Sequence, residues 1–204
     1  MNGRSSHAEN LMIPSPSSRE PVRTTAITSE RASAKFAAHK GLVPLTIVLR
    51  SHTIDCQIAN SDHRVLDILN DLGSGFLKVS NVRLHEIEES GSLGPLEEAV
   101  IPKSSIDCVL LDQELHEAPV RRRHSLVPKH QRATFVLLPH HELCGMTNWA
   151  GRPESLALLA TDAPRFFPVS AATLWGANRQ GEPLASPVAF VNKLSVSMLS
   201  LGDR

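Results

Sequence analysis

The chain has 204 residues, of which 41% are hydrophobic, and its 21 basic side chains are balanced by 21 acidic ones. That length suits one ordinary domain or two small ones, with room for an unfolded segment. Charge balance excludes a global field drawing the whole protein onto nucleic acid or an anionic membrane, and the longest apolar runs fall far short of the roughly 20 residues of a membrane-spanning helix. Met1 is not followed by a signal-peptide core. Three cysteines, Cys56, Cys108 and Cys144, each lie in an apolar alternating stretch, so reduced and mostly buried thiols are expected instead of a secreted disulfide framework. The expectation is a soluble, cytoplasmic protein.

Residues 1–42, rich in Ser, Arg, Ala and Pro and without sustained period, read as a disordered tail. Glu9, Glu20 and Glu30 weaken a transit-peptide reading. Leu45, Ile47 and Leu49 alternate with Thr46, Val48 and Arg50, and Ile54, Cys56 and Ile58 alternate with Asp55 and Gln57 after a short turn. The pattern predicts two strands. Residues 64–75 place Val65, Leu66, Ile68, Leu69 and Leu72 at helical spacing and end on glycines, which predicts a short amphipathic helix. A further strand follows over 76–87, with Phe76 as a core anchor. Val79 and Val82 cannot share one face of a regular strand, which predicts a bulge near Ser80. Residues 100–111 read as a last strand or tight hairpin, with Ile106, Cys108 and Leu110 on one face and Lys103 at a solvated turn.

The second half repeats this order. Residues 47–58 (IVLRSHTIDCQI) align without gaps on 135–146 (FVLLPHHELCGM) at an offset of 88, which matches His52 to His140 and Cys56 to Cys144. At an offset of 90, FLKVS (76–80) meets FFPVS (166–170), Leu66 and Leu69 meet Leu156 and Leu159, and Lys103 meets Lys193. The reading is a tandem duplication, with unit 1 over 43–111, a linker over 112–132 that is basic in its second part, and unit 2 over 133–201. A unit of about 70 residues buries only about 60% of its unfolded surface, a physical reason for two copies to pack on each other. The expected fold is β-rich (α+β): two tandem homologous small sheets or partly closed barrels, each with one short helix.

The second unit, through LATDAPRFFPVSAATLW and PVAFVNKLSVSML, resembles a short bacterial domain family of unknown function, over residues 133–199. In the first unit Lys78 replaces the strand proline and Pro102 the turn asparagine. The resemblance implies a small β-rich fold and bacterial origin, and brings no catalytic residue.

Among candidate sites, the His52/Cys56 and His140/Cys144 pairs could together supply two imidazoles and two thiolates to a zinc ion. Cys56 also keeps parity with Ile54 and Ile58, as a core thiol would, and that is the favoured reading, with no cofactor required. A Cys144 nucleophile with His140 and Glu142 lacks an identifiable oxyanion site. Arg121, Arg122, Arg123, Lys129 and Arg132 form an acid-free basic run that could grip the phosphates of nucleic acid or an anionic surface. No phosphate loop, G-x-S-x-G or H-E-x-x-H occurs. The reading is therefore a non-enzymatic interaction or adaptor module that binds another protein through a strand edge or the seam between the copies, with anion binding by the linker and metal binding as alternatives.

Overall fold

The structure is a computed structural model that describes residues 41–60, 63–86, 94–112, 129–150, 155–160, 162–176 and 182–202. The expected tail, and Arg121, Arg122 and Arg123, lie outside the described residues. The alternating segments form strands β1 (Leu42–Leu49), β2 (His52–Ala59), β3 (Phe76–Glu86), β4 (Leu96–Pro102) and β5 (Ile106–Leu111), then β6 (Lys129–Leu137), β7 (Glu142–Ala150), β8 (Phe166–Trp175), β9 (Leu184–Asn192) and β10 (Met198–Gly202). Two short helices, α1 (Val65–Asn70) and α2 (Ser155–Leu159), follow β2 and β7. A single 3-10 turn precedes each last strand, at Lys103–Ser105 and Lys193–Ser195. β6 begins inside the stretch expected to be linker, so Lys129 and Arg132 are strand residues.

All ten strands belong to one open antiparallel sheet, in the order β10-β6-β7-β8-β9-β5-β1-β2-β3-β4. This corrects the expectation of two separate sheets. β5 completes the series β5-β1-β2-β3-β4, β9 ends the matching series β10-β6-β7-β8-β9, and these two strands pair with each other from Cys108 opposite Val191 to Leu111 opposite Val188. All six residues of β5 are buried. A near-continuous apolar strand of this kind must be covered on both faces.

Two cores result, one on each face of the central strands. Neighbouring residues of a strand point to opposite faces. Ile47 of β1, Val109 and Leu111 of β5 and Phe190 of β9 enter the first core, around β1–β4 and α1. Val48, Cys108, Leu110, Ala189 and Val191 enter the second, around β6–β9 and α2. Ile106 therefore does not share a face with Cys108 and Leu110 as its spacing suggests. The register slips where Val48 faces Cys108 and Leu49 faces Ile106, and Asp107 is the extra residue of a bulge.

The expected bulges are present in both halves. Gln57 faces Ser80 while Asp55 faces Arg83, and Met146 faces Ser170 while Cys144 faces Thr173. The residue after each serine, Asn81 or Ala171, has positive φ. Asn81 is tied by its amide to Gln57 Oε1 at 2.7 Å, and Ser170 Oγ donates to the Met146 carbonyl at 2.9 Å. Gly145 lies under the second bulge, where an added Cβ would stand 2.5 Å from Val169 Cγ1 and 2.7 Å from the Ser170 oxygen.

Helix α1 is shorter than its spacing predicts, ending at Asn70 and leaving Leu72 in solvent. Asp71 adopts an extended conformation and its carboxylate accepts from Gly73 N–H at 2.9 Å, a local turn that competes with further helix. Lys103 is buried, contrary to the solvated-turn reading, and its ammonium donates to the carbonyls of Ile68 and Asp71 at 2.7 and 2.9 Å. Lys193 donates likewise to the carbonyls of Ala160 and Ala163. Each lysine satisfies orphan carbonyls in the last turn of, or just beyond, a helix too short to satisfy its own.

Candidate interaction site

Two strands of the sheet have only one strand neighbour each among the described residues. β4 pairs with β3 alone and β10 with β6 alone. An edge of this kind presents unpaired N–H and C=O groups that another strand can take up. β4 also carries exposed apolar side chains, Leu96 and Val100, and Phe76 of β3 is exposed alongside, opposite Pro102. Glu97, Glu98 and Pro102 punctuate the same edge, features that discourage indiscriminate pairing. A Lys78–Glu98 ion pair at 2.9 Å spans β3 and β4. It is exposed on both sides and contributes little to stability.

The meaning of Phe76 and Val100 emerges from their counterparts in the second half. Phe166 begins β8 as Phe76 begins β3, and Phe190 lies opposite Pro168 as Val100 lies opposite Lys78. Phe166 is 0% and Phe190 7% exposed, against 59% for Phe76 and 62% for Val100. The difference is the neighbouring strand. β9 lies against β5, and both phenylalanines enter the first core. Polar locks secure that junction: Asn70 accepts from Phe166 N–H at 2.7 Å and donates to the Phe166 carbonyl at 2.9 Å, and buried Asn192 donates to the Ile106 carbonyl at 2.7 Å. Ser186 Oγ donates to the Leu111 carbonyl at 2.7 Å.

Comparison with protein-family models, curated proteins and solved structures finds no match to the chain. The site must be read from its own geometry.

The two candidate metal-ligand pairs, His52/Cys56 and His140/Cys144, occupy separate parts of the sheet. His52 starts β2, its Nδ1 2.8 Å from Ser51 Oγ, while His140 is exposed in the turn before β7. Cys56 is buried in the first core, and burial, reinforced by the Asp55 charge, pushes its thiol up to about 12. Burial likewise raises the Cys144 thiol, with Glu142 acting in the same direction. Both thiols are held protonated, the opposite of an activated nucleophile. Among the described residues no three His, Cys, Asp or Glu side chains cluster as metal ligands.

Strand register also separates the two H-x-x-x-C motifs. Ile54 faces Leu84 as Leu143 faces Leu174, and Ile47 faces Ile54 as Val136 faces Leu143. By pairing position, His52 matches His141 and Cys56 matches Gly145, one residue on from the match of letters. A slip of one residue exchanges the faces of a strand. Cys56 accordingly points into its core, whereas Cys144 lies next to the core residue Leu143 and faces the other way.

His140, Glu142, Cys144 and Trp175 do meet along a cleft beside the β6–β7 turn. His141 beneath it is buried, with both ring nitrogens unpaired, and burial lowers its pKa against the opposing influence of Asp107. Of the basic candidates, Arg132 is half-buried and Lys129 contributes its backbone to the start of β6 opposite Ala150. No helix among the described residues is long and apolar enough to cross a membrane.

Proposed function

We propose that the protein is a non-catalytic interaction module, built by tandem duplication of a five-stranded unit, that binds another protein chain by strand addition at β4. The reading rests on one observation above the others. Val100 lies on, and Phe76 beside, a strand that has a neighbour on one side only among the described residues, whereas Phe190 and Phe166, at the matching pairing positions of β9 and β8, are buried where β5 lies against β9. Strand addition combines backbone hydrogen bonds, which supply affinity, with side-chain sites on alternate residues, which supply specificity. The recurrence of strand order, bulge, 3-10 turn and lysine in both halves supports the duplication.

The test is co-purification from source cells with tagged wild type and tagged Val100→Lys, each with and without nuclease. Val100 is exposed, so the variant keeps its fold, which circular dichroism checks. A nuclease-resistant partner captured by wild type and lost with Val100→Lys is expected. Equal capture by both proteins would refute the edge, and loss of specific capture after nuclease would transfer the function to the basic run at 121–132.

A further inference from the structure

The internal junction specifies what the two free edges fit. β9 is the fourth strand of its series and β5 the fifth of its own, and they pair. The strands that have a neighbour on one side only among the described residues are the other fourth strand, β4, and the other fifth strand, β10. We infer that β4 of one chain pairs with β10 of a second copy of the same chain, repeating the β9–β5 junction between molecules. This rests on the edge reading above and adds the identity of the partner.

The register follows from the junction. Cys108 opposite Val191, Val109 opposite Phe190, Leu110 opposite Ala189 and Leu111 opposite Val188 translate into Met198 opposite Ile101, Leu199 opposite Val100, Ser200 opposite Ala99 and Leu201 opposite Glu98. Side-chain fates translate as well. Phe166 and Phe190 cross the internal junction into the first core, so Phe76 and Val100 would cross the new one into the second core of the next chain, beside Leu199. Cys108 crosses in the opposite direction, and Met198, its counterpart, is half-exposed at present. Helix α1 meets the start of β8 through Asn70, so α2 of one chain would lie beside the start of β3 of the next, where Phe76 is exposed. One docking event would therefore cover Phe76 and Val100 on one edge and Met198 on the other. The contact is heterologous, so assembly gives a ring if the rotation closes and a filament if it does not.

The experiment is sedimentation velocity of the purified full chain over a wide concentration range, with Val100→Lys and Met198→Lys as variants. Both sites are exposed, and Phe76→Lys, on β3 beside the same edge, serves as a second variant should Val100→Lys misfold. Wild type is expected to associate, each variant to be monomeric, and an equimolar mixture of Val100→Lys with Met198→Lys to form a dimer and stop there, through the one intact pair of edges. Association of Met198→Lys alone would indicate β4–β4 pairing and overturn the proposal. A wild type monomeric at every concentration would also overturn it, because the edges are then closed on their own chain or kept for a different protein. In that second case, capture of a different partner that is lost with Val100→Lys leaves the edge reading standing, whereas capture insensitive to the variant ends both.

Discussion

Phe166 and Phe76 stand at the same place in their series, yet one should matter greatly to stability and the other hardly at all. Truncating a fully buried phenylalanine to alanine removes its transfer free energy and leaves a cavity, together about 3–5 kcal/mol. Phe166 is 0% exposed and lies in the core of the opposite half, so Phe166→Ala should cost that full amount and weaken both halves together. Phe76 is 59% exposed, and Phe76→Ala in dilute monomer should cost less than about 1 kcal/mol. With a urea slope of about 2 kcal/mol per molar, the first variant shifts the midpoint down by roughly 1.5–2.5 M and the second by under about 0.5 M. Urea unfolding followed by far-ultraviolet circular dichroism and by tryptophan fluorescence is the assay. Both tryptophans, Trp149 and Trp175, lie in the second half, so coincidence of the two probes also tests whether the halves unfold as one. Equal midpoints for the two variants, or a Phe166→Ala transition that splits into two, would refute a first core completed by the second half.

Other consequences are independent of that pair. Gly145→Ala should destabilise by about 1–3 kcal/mol, since its Cβ would collide with Val169 and the Ser170 carbonyl; an unchanged urea midpoint would contradict the close approach at the bulge. His141 has a folded-state pKa below its ordinary value of 6.5, so the unfolded chain takes up the proton first and stability should fall as pH drops through and below about 6.5. Buried Asp107 opposes the shift and His140 adds to it, and a urea midpoint no more acid-sensitive in wild type than in His141→Phe would contradict the burial effect. In native protein a thiol reagent at neutral pH should find at most one cysteine, Cys144, reacting slowly, because Cys56 and Cys108 are buried and their thiols raised by burial. Rapid labelling of two or more would contradict the core placement.

Local chemistry made most elements legible in the sequence. Alternation located the strands of each half, and the parity conflict between Val79 and Val82 located a bulge that the structure places at Ser80 and Asn81. Neighbour relations were not legible, because they are set by which strand a residue lies beside. Phe76 and Phe166 carry the same letter in the same local context, and only the β9–β5 pairing buries one of them. The continuous apolar run of β5 was the available signal that this strand is covered on both faces. Letters and pairing positions also differ: His52 and Cys56 match His140 and Cys144 by letter but His141 and Gly145 by strand pairing, and that single residue separates Cys56, inside its core, from Cys144, beside the core residue Leu143. Lys103 looked solvated because a lysine after a proline at a turn usually is. Its burial depends on carbonyls left over by a helix that ends early at Asn70, a tertiary circumstance beyond local pattern.

Backbone amide hydrogen exchange of the full chain, compared between β4 and β9 at low and high protein concentration, tests the open edge most directly. Among the described residues β4 hydrogen-bonds on one side only and β9 on both, so the β4 amides that do not pair with β3 should exchange fast in dilute solution while those of β9 are strongly protected, and β4 should gain protection as chains associate. Protection of β4 equal to that of β9 at the lowest concentration would contradict a free β4 edge, and with it the proposed strand addition.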